Sequence, residues 1–448
     1  MRLEIESLPQ EYVLVGGVLV DPATCQKAPG EVWVRDGAVV EVDFAAASGA
    51  PESVPRVDLG GLTLTPGFVD VHVHFREPGH EYKEDIESGS RAAAAGGFTS
   101  VMMMPNTQPP LDGAGVVESV LRRGRDVGLC DVHCAGALTV GRNGEQLAEY
   151  EDMRAAGVRA LTDDGSPVGD AALMRRALEH AAMLDLVVVA HSEEKALSRG
   201  GHMHEGYWST QLGIQGVPAA CEEIGVARDV LLARETGAPL HVAHVSTCGA
   251  VDILRLAKRE WKVDVTAEAT PHHLELTDRE LVGYSTSFKM NPPLRTESDR
   301  QAVLEGVADG TLDVIATDHA PHAEMEKELE FERAPVGVIG LETSFGVAHT
   351  SPVDSGRMSL LDLVERMSLA PARRFGLEGG RLQEGAPASF AILDPNERWR
   401  VRTRLLRSRS RNCPFLGRTL RGRVVATVFR GRLVHRAPAE SESLTEVG

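Results

Sequence analysis

His72 and His74 stand two residues apart in Gly67-Phe68-Val69-Asp70-Val71-His72-Val73-His74, where apolar and polar residues alternate. Alternation of that period marks a strand, so both imidazoles lie on one face and can chelate a metal ion. Arg76 follows just past the strand end, and its planar guanidinium offers a two-pronged grip for a carboxylate. A metal and an anion clamp would then share one mouth. Taken alone, a His-x-His pair reads equally well as a polar face packed on a neighbour. The balance tips because Asp164, His191, His244 and Asp318 each fall at or just beyond the end of a different apolar run.

Imidazole nitrogen and carboxylate oxygen are the ligands of catalytic zinc sites that keep one position open for water. Four histidines (72, 74, 191, 244) and two aspartates (164, 318) exceed the needs of one tetrahedral ion. They suit two ions about 3.5–4 Å apart, joined by a carboxylate and a water or hydroxide. Asp164, in Thr162-Asp163-Asp164-Gly165, is the expected bridging ligand; Asp163 is the alternative. Such ions bring the pKa of a water from about 15.7 to about 7. Asp318, in Ala316-Thr317-Asp318-His319-Ala320-Pro321-His322, is then placed to take the proton of the attacking water and return it to a leaving nitrogen. The chemistry expected is metal-assisted amide hydrolysis.

These residues act together only if a fold brings their strand ends to one rim. Between about Leu64 and Leu382, short apolar strands alternate with helical stretches, the strands ending near His74, Pro105, Ala135, Asp163, His191, His244, Thr266 and Asp318. About eight such strands close a parallel barrel, whose C-terminal rim gathers residues from every strand. A helix is expected over Pro218 to Glu235, where Ala220, Ile224, Ala227, Leu231 and Leu232 recur at helical spacing before Thr236-Gly237. Short alternating runs with Gly-Gly, Pro-Gly and Asp-Gly turns occur near both termini, and pairing them makes one small sheet domain. The expected fold is therefore α/β, a (β/α)8 TIM-like barrel with a small β-sandwich domain. Residues 1–64 and 385–448 form the two parts of the β domain, and residues 65–384 the metal-dependent barrel.

A formal charge of -18 over 448 residues argues against nucleic acid or an anionic membrane as a partner. An anionic small substrate stays compatible, because remote surface charge is screened over about 8 Å at physiological salt. The first residues, MRLEIESLPQ, contain no apolar run of signal or spanning length, and a cytoplasmic protein is expected. Six cysteines, at 25, 130, 134, 221, 248 and 413, lack paired spacing and read as buried thiols.

Several ordered motifs carry a family resemblance. HVHFREPG (72–79), MPNT (104–107), TDDG (162–165), AHVS (243–246), TPHHL (270–274), KMNPPLR (289–295) and ATDHAPH (316–322) resemble the dihydroorotases of the type I bacterial group, within the amidohydrolase superfamily. The likeness runs from about Leu64 into the C-terminal GRTLRGRVVATVFRGRLV. It implies a zinc enzyme that interconverts (S)-dihydroorotate and N-carbamoyl-L-aspartate in pyrimidine synthesis, with one or two Zn2+ per chain and two favoured. It implies metal ligands at His72, His74, Asp164, His191 and His244, with Asp318 both metal-proximal and catalytic. It also implies substrate contacts from His74, Arg76, Asn106, Asn291 and His322. A homodimer is expected, and a complex with aspartate transcarbamoylase is compatible with the family. An aromatic residue common in the family is here Val336, so Val336 and Gly337 are retained as main-chain contacts while ring packing changes. Many amidohydrolase relatives, including hydantoinases and allantoinases, bridge their metals with a carboxylated lysine, and Val158 to Asp164 contains none. The alternatives are such a cyclic amidase, or a non-catalytic homologue that scaffolds aspartate transcarbamoylase.

Other features read more plainly. His272 and His273 are expected to pack behind the ligands, and His202 and His204 to lie in a mobile glycine-rich loop near the barrel mouth. Met102 to Met104 reads as strand core. The arginines from Arg398 to Arg423 read as a solvated basic sheet face, with an acidic docking partner as the sharper alternative.

Overall fold

The computed structural model describes residues 7–438. The chain opens with three antiparallel strands, β1 (Glu11–Asp21), β2 (Gln26–Arg35) and β3 (Ala38–Asp43). Strands β4 (Arg56–Asp58) and β5 (Thr63–Pro66) then return parallel to β1.

After β5 the pattern changes to short parallel strands separated by helices. The barrel strands are β6 (Phe68–Val73), β7 (Phe98–Met103), β8 (Asp131–Gly136), β9 (Ala160–Leu161) and β10 (Val187–Ala190). A two-stranded parallel excursion, β11 (Met203–His204) with β12 (Gly216–Val217), precedes β13 (Leu240–Val242), β14 (Val265–Ala269) and β15 (Val314–Ile315). Sequence neighbours among the eight barrel strands are also hydrogen-bonded neighbours, all parallel. The ring is drawn shut beside β6: Val73 pairs with His319, and the His74 N–H donates to the His319 carbonyl at 2.9 Å.

Burial on both faces explains why these strands read as nearly unbroken apolar runs. Met102 and Met104 pack with Val69, Val71, Val187, Val189 and Val314, whereas Met103 packs with the helix-facing layer. The methionine run is strand core, as its sequence implies. The helix Ala220–Thr236 stops where Gly237 takes a left-handed conformation, φ 69°. A residue with no Cβ adopts that conformation without steric cost.

Strands β16 (Phe390–Arg400), β17 (Thr419–Phe429) and β18 (Arg432–Arg436) complete the terminal sheet. β16 lies antiparallel to β5, with Phe390 opposite Pro66 and Leu393 opposite Thr63. The expected sandwich takes the form of one continuous eight-stranded sheet, whose core includes Tyr12, Leu14, Leu64, Phe390 and Val428. Among the described residues, no helix is long and apolar enough to cross a membrane.

Four expectations change. The strand expected to end at Thr266 begins at Val265 and runs to Ala269, because its backbone ladder continues past the last apolar residue of the run. The segment around His204 pairs as β11 with β12, and His204 is buried with Nδ1 3.3 Å from Arg295 Nη1, so this stretch is built into the structure. Cys25 and Cys248 are exposed, while the other four cysteines are buried and all six are free. Within the C-terminal basic run, Arg409, Arg418, Arg421 and Arg423 pair with Asp85, Glu280, Asp354 and Glu397. Three of these pairs reach residues outside the terminal sheet, and Arg423 pairs within it with Glu397 on β16.

Candidate active site

Strand β6 delivers His72 at its end and His74 just beyond it, and both rings are buried. The turn after β9 delivers Asp164, and the segments after β10, β13 and β15 deliver His191, His244 and Asp318. All six side chains meet. Asp164 Oδ1 lies 3.5 Å from His72 Nε2, 3.3 Å from His191 Nδ1 and 3.4 Å from His244 Nε2, and its Oδ2 lies 3.6 Å from His74 Nε2. Ligands of one tetrahedral ion at about 2.0–2.1 Å stand about 3.3–3.4 Å apart. The side chains are thus spaced as ligands of a common ion are. They divide into two groups, His72, His74 and Asp164 on one side and Asp164, His191 and His244 on the other. Asp164 belongs to both.

Two buried atoms at the centre, His72 Nε2 and Asp164 Oδ1, have no hydrogen-bond partner among the described residues. Buried polar atoms are normally satisfied, so this pair fits a cation held between the groups. The electrostatics agree. Burial works against charge on His72, yet the carboxylates of Glu268, Asp164 and Asp318 outweigh it and hold the imidazole well above its ordinary pKa. Burial likewise opposes the Asp164 carboxylate, but His72, His191 and His244 keep it well below its usual range. The cluster stabilises positive charge at its middle.

Supporting side chains fix which ring nitrogen faces inward. The Glu268 carboxylate lies 2.6 Å from His72 Nδ1 and 3.0 Å from His241 Nε2, and its Oε1 also accepts from the His244 backbone N–H at 3.2 Å. With Nδ1–H donating to Glu268, His72 keeps its Nε2 lone pair for the cluster. Asn106 does the same for His74, its Oδ1 lying 2.8 Å from Nδ1. Glu193 lies 2.9 Å from His191 Nε2, which leaves Nδ1 for the Asp164 side. Asp163 turns away and accepts from the Leu138 and Thr139 N–H groups at 2.9 and 3.2 Å. Asp70 accepts from the His72 N–H at 3.0 Å and the Thr317 N–H at 3.2 Å, tying β6 to the segment that carries Asp318.

Asp318 Oδ1 lies 2.9 Å from His74 Nε2 and 3.6 Å from His72 Nε2. Beside it, the buried Arg76 donates from Nε to the Pro321 carbonyl at 3.1 Å, and its Nη2 lies 3.4 Å from His322 Nε2. Among the described residues no carboxylate forms an ion pair with Arg76, and Nη1 has no protein partner. Burial pulls this guanidinium down to about 10, with Asp318 and Asp164 acting the other way. A buried cation with no direct ion pair beside such a cluster is a binding group for an anion. Asn291 points its Nδ2 at Glu193 Oε2, 3.4 Å, and at His191 Nε2, 3.2 Å. His322 Nε2 lies 2.8 Å from the Val336 carbonyl.

The loop at Val336-Gly337 differs from the sequence reading in detail. Val336 is 45% exposed at the rim. The Gly337 N–H already donates to the Lys289 carbonyl at 2.9 Å, and its carbonyl accepts from Lys327 Nζ and Asn412 Nδ2, both at 3.0 Å. The main-chain groups of Gly337 are therefore used inside the protein. His272 and His273 are buried behind the cluster, with His273 tied to Thr270 Oγ1 and the Pro292 carbonyl. Glu268, Glu193, Asp70, Lys83 and Asn412 were not singled out from sequence. The Glu268 signal lay in Thr-Ala-Glu-Ala, a carboxylate inside a strand that offers it no solvent.

A barrel with a buried His/Asp cluster at its C-terminal rim defines a metal-dependent amidohydrolase, and a model described as "Amidohydrolase family" matches residues 234–435. In structure the chain is similar to an L-hydantoinase (dihydropyrimidinase) from Arthrobacter aurescens, with TM-score 0.85, 26% identity, and 96% and 97% of the two chains covered. It shares its fold with a dihydropyrimidinase from Brevibacillus agri, with TM-score 0.79, 21% identity and 95% of each chain covered. A second model, described as "Dihydro-orotase-like", matches residues 61–249. A dihydroorotase from Anaeromyxobacter sp. is 50% identical over 422 residues, 94% of this chain and 96% of its own. One from Citrifermentans bemidjiense is 47% identical over 425 residues, 95% of this chain and 99% of its own. The chain belongs to the dihydroorotase family.

Proposed function

We propose that this protein interconverts (S)-dihydroorotate and N-carbamoyl-L-aspartate, using zinc held by His72, His74, Asp164, His191 and His244, with two ions sharing Asp164. The observation that carries the reading is Arg76, a buried guanidinium that forms no ion pair with a carboxylate among the described residues, next to a cluster fit for a cation. Zinc bound there would supply a water of pKa about 7 and polarise the ring carbonyl.

The chain's own residues do the rest. Arg76 grips the substrate carboxylate through its free edge, a charge-assisted bond. Asn106 has its oxygen committed to His74, so its amide N–H groups face the ring; Asn291 has its N–H groups near Glu193, so its oxygen is available to a ring N–H. Asp318 accepts a proton from the attacking water and delivers it to the ring nitrogen as the amide bond opens. In the closing direction it takes that proton back. His322 lines the anion end beside Arg76, and Val336 covers the ring from the rim. Gly337 acts through shape: its φ is 129°, and an added Cβ would lie 2.8 Å from that of Ala320 and 3.1 Å from His322 Nε2. The unpaired thiols fit a cytoplasmic setting.

The test is a substrate panel on zinc-loaded protein. Dihydroorotate should turn over at least about 100-fold faster than hydantoin or dihydrouracil, which lack the carboxylate, a difference near 2.7 kcal/mol. Comparable rates on the neutral rings would defeat the assignment. Arg76→Lys keeps the charge but loses the fork, and should raise KM for dihydroorotate about tenfold or more. An unchanged KM would remove Arg76 from the carboxylate.

A further inference from the structure

The arginine-rich segment between β16 and β17 reads in sequence as a basic surface, yet its middle, Arg407 to Asn412, enters the barrel mouth. Asn412 is 4% exposed and joins two active-site segments at once. Its Nδ2 donates to the Ala320 carbonyl and to the Gly337 carbonyl, each at 3.0 Å, and its Oδ1 accepts from the His322 backbone N–H at 3.3 Å. Its own carbonyl accepts from the Ile339 N–H at 3.1 Å. One amide thereby uses both donors and its acceptor to set the distance between His322 and the Val336-Gly337 loop. The His322 ring spans the same gap, through its bond to the Val336 carbonyl.

The residues just before Asn412 hold the other side of His322. Ser410 Oγ donates to the Lys83 carbonyl at 2.7 Å, Ser408 Oγ bonds Glu84, and the Arg409 N–H donates to Glu84 at 3.0 Å. Arg409 also bonds the Glu81 carbonyl and Asp85. Lys83, fixed in this way, places Nζ 3.4 Å from His322 Nδ1. None of these groups touches the metal-ligand cluster.

We infer that Asn412, with Ser410 behind it, is a positioning residue for substrate binding: a strap from the terminal sheet that aligns His322 and the Val336-Gly337 loop against the carboxylate end of the ring. This rests on the proposed role of His322 at that end. A strap of this kind acts on ground-state and transition-state binding alike, so its loss raises KM and leaves kcat nearly unchanged. No side chain other than an amide of this length both donates to two carbonyls and accepts from an N–H here. Asn412→Asp keeps the size but sets a carboxylate against two carbonyl oxygens.

The experiment compares Asn412→Ala, Asn412→Asp, Ser410→Ala, His322→Ala and the Asn412→Ala/His322→Ala double variant, all zinc-loaded. The readouts are KM and kcat for dihydroorotate, metal content and melting temperature. Each Asn412 variant should raise KM about tenfold with kcat within about threefold and metal content unchanged, and Ser410→Ala should raise KM by a smaller factor. The double variant should match His322→Ala alone, because the strap acts through that ring; additive effects would make Asn412 merely structural and overturn the inference. A rise in KM for His322→Ala with none for the Asn412 variants also overturns it. An unchanged KM for His322→Ala instead removes the role of His322 on which the inference stands. Should the Asn412 variants fail to fold, Ser410→Ala decides: an unchanged KM refutes the strap.

Discussion

Asp318, His244 and Arg76 all sit at positive φ, 47°, 32° and 62°. Side chains other than glycine hold such backbone at a cost of about 1–3 kcal/mol each, and only where the surroundings enforce it. Three such residues at one rim mark it as the place where geometry outranks local comfort. For Asp318 the result is a carboxylate aimed at His74 Nε2, available to carry a proton but supplying no contact between the two metal groups. Asp318→Ala should therefore retain its zinc while kcat falls by a factor of about 10²–10⁴, measured by metal analysis beside steady-state rates. A near-wild-type rate would rule out its part in proton transfer. Glu268 sits one layer deeper and accepts from His72, His241 and the His244 N–H. An amide cannot accept from all three without turning its NH2 toward a donor. Glu268→Gln is expected to weaken zinc binding about 10–100-fold in a chelator competition, and unaltered affinity would show that His72 needs no such anchor.

At the scale of elements, the loop from Phe331 to Gly337 is hung on two buried lysines. Lys289 Nζ donates to the carbonyls of Phe331, Glu332 and Ala334 at 2.6, 2.9 and 2.7 Å. Lys327 Nζ donates to those of Pro335 and Gly337 at 2.9 and 3.0 Å. Burial is the largest influence on Lys327, with Lys289 adding to it, and together they bring its pKa from 10.5 down to about 7. Between those values the unfolded chain binds the proton and the folded one does not, so stability contributed at this site rises as pH climbs from about 7 toward 10.5. Below about 7 both states are charged and the folded protein carries the full burden of burying the charge. Denaturant melts of wild type and Lys327→Met at pH 6, 7, 8 and 9 should show their difference moving in favour of wild type above pH 7, by more than about 1 kcal/mol. A difference independent of pH would contradict that burden. The same loop shows where sequence reading stops. Strands and the candidate ligands at their ends were legible because apolar runs and an abrupt His or Asp are local signals. Glu268 was hidden by its place inside a strand whose apolar run had already ended, and Lys327 and Asn412 by working through carbonyls, which no residue pattern reveals. The place of Asp164 in both groups of side chains, by contrast, accords with the turn Thr162 to Gly165, and the alternative Asp163 is spent on Leu138 and Thr139.

Across the whole molecule, the cluster draws on the ends of β6, β9, β10, β13 and β15, so its side chains come from most of the barrel's circumference. Each of those strands is short, β9 and β15 having two residues each, and few ladder bonds hold their upper ends. The protein ties across the mouth include the His74–His319 backbone bond, the Asp70 bridge to Thr317 and the Asn412 hydrogen bonds. An ion shared among these ligands would add a further tie, present in the folded state and absent from the unfolded chain. Binding of that kind stabilises by about 4 kcal/mol when the free metal stands at a thousand times its dissociation constant. A kcal/mol moves the melting temperature of a chain of 150–250 residues by about 2–4 °C, and by somewhat less in a larger one. Stripping metal with a chelator should therefore lower the melting temperature by at least about 5 °C, and zinc added back in excess should restore it. The loss should also open the rim first, with faster amide exchange in residues 72–76, 162–165 and 316–322 than in the terminal sheet. If metal content falls to zero while the melt and the rim exchange stay where they were, the ion is no tie across the rim, and what holds these side chains together must be the hydrogen bonds among them alone.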